Sequence, residues 1–375
     1  MFDSVGFVLK DFANLPSFVK YPINRDLPDQ DALETLVTIT TGYHDELYNA
    51  GGKLPHIALW DNYGKRIGQW APAKNQKMAS GEGGDWDGYV TVQHGQNKNK
   101  GVEPAYIMLS NHDEDAICIS TISVSHGRVS TTFSSDVAAR CGQTWFYSSR
   151  KLGKPEATPV CVWLDGDHTG NINAKAMSFH INDFFPSKSK MELYSQKGLE
   201  GFPYLCHSTP RFSFWGNLLP NGNPPFFLPP LKYKRDGKDE GADEDPDAAL
   251  DRKTYDKGVY LNQGEKNGSS NRRKRRTGKR SSPNMNPEKL IVTQIEGQTA
   301  RQVCESATSV GFDIVSHLDH MFCDISERKL YPLCTYEVTS NCFNLNSTML
   351  IGESGPLLTA RGEPAKAYKD VVRWK

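Results

Sequence analysis

The stretch DGDHTGNIN, running from Asp165 to Asn173, gathers residue types that could hold a cation. Asp165 and Asp167 occupy its first and third positions, Gly170 the sixth and Ile172 the eighth. That is the opening half of an EF-hand-type loop, whose carboxylates and carbonyls wrap a calcium ion. The twelfth position, where such a loop supplies a bidentate Glu, is Ala176. The flanks CVWLD and KAMSFHI alternate as strands do, not as helices. A hairpin loop of turn-forming residues accounts for the same letters. No cofactor is therefore expected, and calcium at Asp165 and Asp167 is the one metal to weigh.

Acid–base chemistry is the second possibility. His168 or His180 with Asp165 or Asp183 would act as general acid and base if the fold brought them together, giving a hydrolase near the 165–183 hairpin. Spacing alone does not bring them together. The chain also has no G-x-S-x-G elbow, no H-E-x-x-H pair, no Walker loop and no G-x-G-x-x-G after a strand, so no catalytic residue is assigned. Farther along, HLDHMFCD sets His317, His320 and Cys323 at three-residue intervals, a metal-binding face if the segment is helical. A disulfide at Cys323 would remove its thiolate.

Recognition is the third. Trp60, Trp70, Trp86, Trp145 and Trp163 fall in the strand-rich part of the chain. Core packing accounts for most of them, but one exposed ring can stack on the apolar face of a sugar while loop carboxylates and amides bind its hydroxyls. Asp165, Asp167, His168, Asn171 and Trp145 are the candidate ligand-binding residues on this reading.

The elements that must position these residues read as short strands. PHIALW, the turn DNYG and KRIGQW form a hairpin signal. WDGYVTVQHG, PAYIMLS, DAICISTISVS, TWFYSS, PVCVWLD and KAMSFHI follow, each short and rich in β-branched or aromatic side chains. In KAMSFHI, Ala176, Ser178 and His180 alternate with Met177, Phe179 and Ile181, which predicts one buried and one exposed face. The segment DQDALETLVTITTGYHDELYNA is expected to contain a short helix. The predicted class is mainly β: an antiparallel β-sandwich or jelly roll with a smaller, disulfide-rich C-terminal α+β unit. The predicted boundaries are a lead-in over 1–36, the sandwich over 37–215, a Pro-rich, charged, flexible linker over 216–286, and a Cys-rich unit over 287–375. In that last unit TARQVCESATSVGFDIV is expected to be helical.

The eight cysteines fall four and four: Cys118, Cys141, Cys161 and Cys206, then Cys304, Cys323, Cys334 and Cys342. Even numbers in two separate regions, with no short Cys-x₂₋₄-Cys pair, favour disulfides over zinc, and therefore an oxidising compartment. A bridge at Cys118 or Cys161, inside strand-like segments, would pin two sheets. The pairing itself stays open, because four cysteines allow three connectivities.

The linker carries NRRKRRTGKR, with seven Lys or Arg in the nine positions from Arg272 to Arg280. In an extracellular chain, Arg275-Arg276, Lys279-Arg280 and, upstream, Lys234-Arg235 are dibasic processing sites. In an intracellular chain the same run is a nuclear-import patch, and as a solvated run it faces the acidic stretch Asp236 to Asp247 with no further role. Sequons at Asn267 and Asn346 would be glycosylated after secretion. Secretion implies a signal peptide, yet MFDSVGFVLKDFANLP carries Asp3 and Asp11 and no basic n-region, so a truncated start is expected. Lys plus Arg and Asp plus Glu are both 44, so no overall field favours nucleic acid. A mean hydropathy of -0.57, with no apolar run near span length, predicts no membrane span.

At CVWLDGDHTGNINAKAMSFHINDF, with IALWDNYGKRIG, DAICISTISVS and DVAARCGQTWFYSS, the chain resembles a group of uncharacterised secreted proteins of filamentous fungi. The similar region runs from about Val37 to Phe185, and the tail around FCDISERKLYPLC is similar too. The order of strands, with Cys and Trp in the later ones, also looks like the jelly-roll sandwiches of PLAT and C2 type. Kinship with calcium-binding C2 domains would imply Asp clusters in two loops at one end, for which Asp165 and Asp167 are the candidates. Composition, cysteines and resemblance together lead to an expectation: a secreted, non-enzymatic binding protein that recognises a glycan or a cell-surface ligand through the loops of its sandwich. The hydrolase and the nuclear protein are the alternatives.

Overall fold

The computed structural model describes residues 33–42, 51–73, 87–96, 102–127, 129–151, 157–184, 203–216, 222–234, 242–243 and 282–375. The first element, β1 (Glu34–Thr41), is a strand within the segment expected to contain a short helix, and residues 29–32 and 43–50 of that segment lie outside the described residues. Its run ETLVTITT is dense in β-branched residues that crowd a helical turn, and Val37 and Ile39, two apart, are both fully buried. There follow β2 (His56–Trp60), β3 (Arg66–Trp70), β4 (Asp87–Gln93), β5 (Tyr106–Ser110), β6 (Ile117–His126), β7 (Val129–Ser134) and α1 (Ser135–Arg140). Next come β8 (Trp145–Phe146), β9 (Cys161–Leu164), β10 (Ala176–His180), α2 (Pro203–Cys206), β11 (Phe212–Trp215), β12 (Tyr233–Lys234) and β13 (Ala242–Asp243).

The chain divides into two units that are not consecutive in sequence. Among the described residues, one takes 33–144 and 150–243, and the other takes Trp145–Ser149 together with 282–375. The stretch expected to be one uninterrupted sandwich over 37–215 therefore gives up five residues to the C-terminal unit.

The first unit is the expected antiparallel sandwich. One sheet runs β4-β1-β6-β9, with β7 also on β6, and the other runs β11-β10-β5-β2-β3. The β2–β3 hairpin closes as DNYG predicts: Asp61 Oδ1 accepts the N–H groups of Tyr63 (2.9 Å) and Lys65 (2.8 Å), and Gly64 takes a φ of 75°. Between the sheets, Phe133 of β7 stacks on Phe179 of β10 at 4.6 Å and on Phe212 of β11 at 5.5 Å. The sheets meet at a corner where Gly68 of β3 bridges His94. A Cβ on Gly68 would lie 2.6 Å from the Gln93 carbonyl oxygen, so only glycine permits this approach.

KAMSFHI departs from its predicted pattern, because all five residues of β10 are buried. The reason lies in the segment expected to be a linker. Residues 222–234 lie over the outer face of the second sheet, where Phe226 packs with Trp60 and Tyr106. Phe227 donates its backbone N–H to the Tyr106 hydroxyl (3.0 Å), and Trp60 Nε1 donates to Asn223 Oδ1 (3.3 Å). Aromatic and proline side chains give this stretch the apolar surface that the charged residues after it lack.

At the same corner sits a stacked histidine pair. The His94 and His126 rings are 5.0 Å apart and nearly parallel, with the Thr35 hydroxyl 2.7 Å from His94 Nε2. His126 Nδ1 donates to the Glu34 carbonyl oxygen (3.1 Å). Both rings are buried, and His94 Nδ1 and His126 Nε2 have no hydrogen-bond partner. Burial, reinforced by His126, pushes the His94 imidazole down to about 4. The unfolded chain, titrating near 6.5, then binds more protons than the native one, so stability falls as pH drops from about 6.5 to about 4. The loss is on the order of 2–3 kcal/mol at the acid end. Urea melts at pH 7.5, 5.5 and 4.5 should show it, and His94→Gln should flatten the dependence. A His94→Gln profile that parallels wild type would refute this assignment.

The second unit continues with β14 (Lys289–Thr293), α3 (Ala300–Glu305), β15 (Asp313–Ser316), β16 (Met321–Asp324) and β17 (Lys329–Pro332). It ends with β18 (Cys342–Asn344), β19 (Met349–Gly352), β20 (Gly355–Pro356) and β21 (Asp370–Trp374). Its main sheet runs β17-β16-β15-β14-β21, with β14 parallel to both neighbours, while β18-β19-β20 form a small antiparallel sheet. Parallel pairing of β14 and β15 requires a crossover, which α3 supplies. Helix is thus confined to six residues of TARQVCESATSVGFDIV, whose tail is β15. The extra segment 145–149 is built into this unit. Trp145 exchanges backbone hydrogen bonds with Thr308 and Val310, and Phe146 lies against Gly311, Phe312 and Trp374.

All eight cysteines are oxidised, and the bridges respect the four-and-four division: Cys118–Cys161, Cys141–Cys206, Cys304–Cys323 and Cys334–Cys342. The first does not pin two sheets as expected. It joins β6 to β9, which are neighbours in one sheet.

Candidate functional site at one end of the sandwich

The loop 165–175 between β9 and β10 meets the loop 111–116 between β5 and β6, and buried polar groups hold them together. Asn111 Nδ2 donates to the carbonyls of Asp115 (2.8 Å) and Leu164 (2.9 Å), while its Oδ1 accepts Asp113 N–H (2.9 Å). Gly166 N–H donates to the Asp113 carbonyl at 3.0 Å. A Cβ on Gly166 would stand 2.3 Å from that oxygen, which explains the glycine.

Asp165 is fully buried, and its carboxylate serves the loop itself. Oδ2 accepts the Thr169 hydroxyl (2.9 Å) and Oδ1 faces the Asp167 N–H (3.4 Å). Burial raises its pKa, and the bonds from Thr169 and Asp167 oppose that rise. Asp167 Oδ1 accepts Thr169 N–H (3.1 Å), and His168 Nδ1 donates to the Ile172 carbonyl (3.0 Å). His168 and Asn171 both adopt left-handed backbone, with φ of 63° and 66°. This is the turn that the residue types allow, and the Asp165 carboxylate is bonded within it. Asp167 and Asn171 remain exposed, and His168 is half-buried. Among the described residues, no group of three or more His, Cys, Asp or Glu side chains converges as a metal site. The HLDHMFCD segment is not helical. Residues 317–320 are the turn between β15 and β16 and Met321–Asp324 are β16 itself, His320 is left-handed at a φ of 51°, and Cys323 is bridged to Cys304.

The sandwich loses its expected stacking tryptophan. Trp145 is buried within the C-terminal unit, where its Nε1 donates to Ser306 Oγ (3.1 Å). Trp60 and Trp163 are core residues, Trp70 is half-buried on the edge strand β3, and Trp86 lies outside the described residues.

Four residues without any motif meet beside the loops: Lys53 and His56 leading into β2, His112 after β5, and Lys175 before β10. His56, Ser110 and Ala176 are paired across three adjacent strands. The His56 and His112 rings meet edge to face at 4.5 Å, and Ser110 Oγ is 2.9 Å from His112 Nε2. Desolvation, together with the charges of His56, Lys175 and Lys53, pushes His112 down to about 4. Desolvation and Lys53 lower His56 as well. Sequence reading misses this cluster because its members are scattered over more than a hundred positions. The one available signal was strand parity, which sets His56 on the same face as Ala58 and Trp60.

At the opposite end of β10 the structure does join one of the predicted pairs. Asp183 Oδ2 is 3.0 Å from His180 Nδ1, and its Oδ1 accepts from Arg211 at 2.6 Å and from the Tyr233 hydroxyl at 3.3 Å. His180, Asp183 and Arg211 are at most 1% exposed. Asp165 and His168 sit at the other end of the strand, so the four residues do not form one site.

Of the remaining positions, Asn346 is exposed on the turn between β18 and β19, and Lys234 pairs with Ala242. Asn267, Arg235, Arg275, Arg276, Lys279 and Arg280 lie outside the described residues. No helix among the described residues is long and apolar enough to cross a membrane. No family model matches the chain, and no curated protein matches it.

Proposed function

We propose that the protein is an extracellular binding protein of the fungal secreted type, which recognises a glycan on a cell or wall surface through the loop end of its sandwich. The observation that carries this reading is the pair of loops 111–116 and 165–175. Buried Asn111 and Asp165 brace them, and they present Asp167, His168, Asn171, His112 and Glu114 outward. Braced backbone with outward polar side chains is what saccharide hydroxyls require, because little conformational entropy is lost on binding. Four disulfides suit an oxidising compartment, and exposed Asn346 is the site glycosylation would use. The buried His180–Asp183 pair favours a structural role over hydrolysis, since no substrate reaches a group that is 1% exposed.

A glycan array probed with the wild-type chain and with Asp167→Ala/Asn171→Ala tests the proposal. Selective binding that weakens about tenfold in the variant, at unchanged melting temperature, is expected. Equal binding by both proteins moves the site elsewhere, and no binding to any glycan or to intact cell walls refutes the reading.

A further inference from the structure

The geometry points to an oxyanion subsite at the loop end, in which Lys53, His56, His112 and Lys175 take a sulfate or phosphate ester carried on a saccharide. This rests on the binding reading above and gives it a ligand class.

The chain is neutral overall, with 44 acidic residues to set against its 44 basic ones, yet none of its described carboxylates forms an ion pair with any of these four side chains. By contrast, Arg211 is placed on Asp183, and Lys366 on Asp313 and Asp324. Lys53 and Lys175 act electrostatically on the two imidazoles, with no described carboxylate ion-paired to any of the four, so the positive groups repel one another and an oxyanion relieves that repulsion.

His56 opens β2 and His112 follows the adjacent β5, their rings meeting at 4.5 Å, and the lysines precede β2 and β10. Lys53, His56 and Lys175 are half-buried and His112 is exposed, so the stems are held while the heads stay accessible. An ester oxygen accepts readily from Lys and from imidazole N–H groups, and charge-assisted bonds of this kind are among the stronger ones.

The charged groups around the site are the lysines, the two histidines and the loop carboxylates Asp113, Glu114 and Asp115. Asp113 Oδ1 is engaged by the Glu114 N–H, and the Asp115 carboxylate lies over Gly52. In the free protein the cationic neighbours and desolvation disfavour protonation of His112. A bound oxyanion opposes that field, so binding takes up protons and strengthens as pH falls.

The experiment measures binding of three immobilised probes, a sulfated oligosaccharide, a phosphorylated one and their neutral parent, at pH 7.5 and 5.5. At least one ester should bind at pH 7.5 about tenfold or more better than the parent. Lys53→Ala/Lys175→Ala should abolish that preference. The wild type should bind about three- to tenfold tighter at pH 5.5, and His56→Gln/His112→Gln should remove this gain. Which ester binds identifies the source of the oxyanion. If the alanine pair melts lower than wild type, Lys53→Gln/Lys175→Gln is measured instead. Equal binding of neutral and esterified probes, or ester binding indifferent to the lysines, overturns the subsite and leaves the loop-end reading intact. Failure of every saccharide, on the array as well, overturns both.

Discussion

Replacing Asp183 by Ala is expected to destabilise the sandwich unit by about 3–5 kcal/mol, the cost of leaving a buried charge without its partner. Arg211 is fully buried, and its NH1 donates to Asp183 at 2.6 Å, while His180 and Tyr233 use the same carboxylate. Removing Asp183 takes from the guanidinium a carboxylate it holds at 2.6 Å in a place water does not reach. The Phe227 ring, 5.3 Å from the Arg211 guanidinium carbon, offers a cation–π contact in its place, which is weaker than the lost ion pair. Urea denaturation followed by near-UV circular dichroism measures the effect. Removing both charges with Asp183→Leu/Arg211→Met should be milder than Asp183→Ala alone, because neither charge is stranded. A loss below about 1 kcal/mol for Asp183→Ala would mean that the network is solvated, as it would be if residues 222–234 did not cover it.

The second large effect concerns a residue whose place in the sequence misleads. Phe146→Ala should cost about 3–5 kcal/mol, as aromatic truncation in a core does, and the loss should fall on the C-terminal unit. Phe146 is fully buried, with Phe312 at 5.6 Å and Trp374 at 6.5 Å. Its ring approaches Gly311 so closely that a Cβ there would stand 2.3 Å from it. Neighbouring side chains anchor the same unit: the buried Tyr147 hydroxyl bonds the Thr299 carbonyl and Gln302, and Ser148 O accepts from Gln298 Nε2 (2.7 Å). Phe133→Ala, only thirteen positions earlier, should instead strike the sandwich, where Phe133 packs on Phe179, Phe184 and Phe212. Hydrogen exchange resolves the two. Phe146→Ala should lower protection at Ile291 and Val315 and spare Ile122 and Leu109, and Phe133→Ala should do the reverse. Loss of protection at Ile122 in Phe146→Ala, with Ile291 unchanged, would overturn the assignment.

Much of the architecture was legible because it rests on local chemistry. PHIALW-DNYG-KRIGQW carries its own turn, and Asp61 and Gly64 do there what those residue types do in any hairpin. The division of cysteines held because each bridge closes within its own unit. The turn-forming character of DGDHTGNIN was legible too, and the structure adds the hydrogen bonds of Asp165 and Asp167 within it. Period-2 patterning reports only that a strand has two faces. It does not report what covers each one, so it took β10 to be half exposed when residues 222–234 lie over its outer face.

By itself, then, the sequence determined the mainly β class, the hairpins and the four-and-four oxidation of the cysteines, since these follow from backbone preference and from pairings inside each half. Tertiary structure decided the rest. It moved Trp145 from a predicted sugar platform into the core of the other unit, and it gave Asp183 a buried partner 28 residues away. It also collected Lys53, His56, His112 and Lys175 at one end of the sandwich. Each of these depends on strand order, and strand order is settled by the burial of whole sheets rather than by the spacing of any few residues.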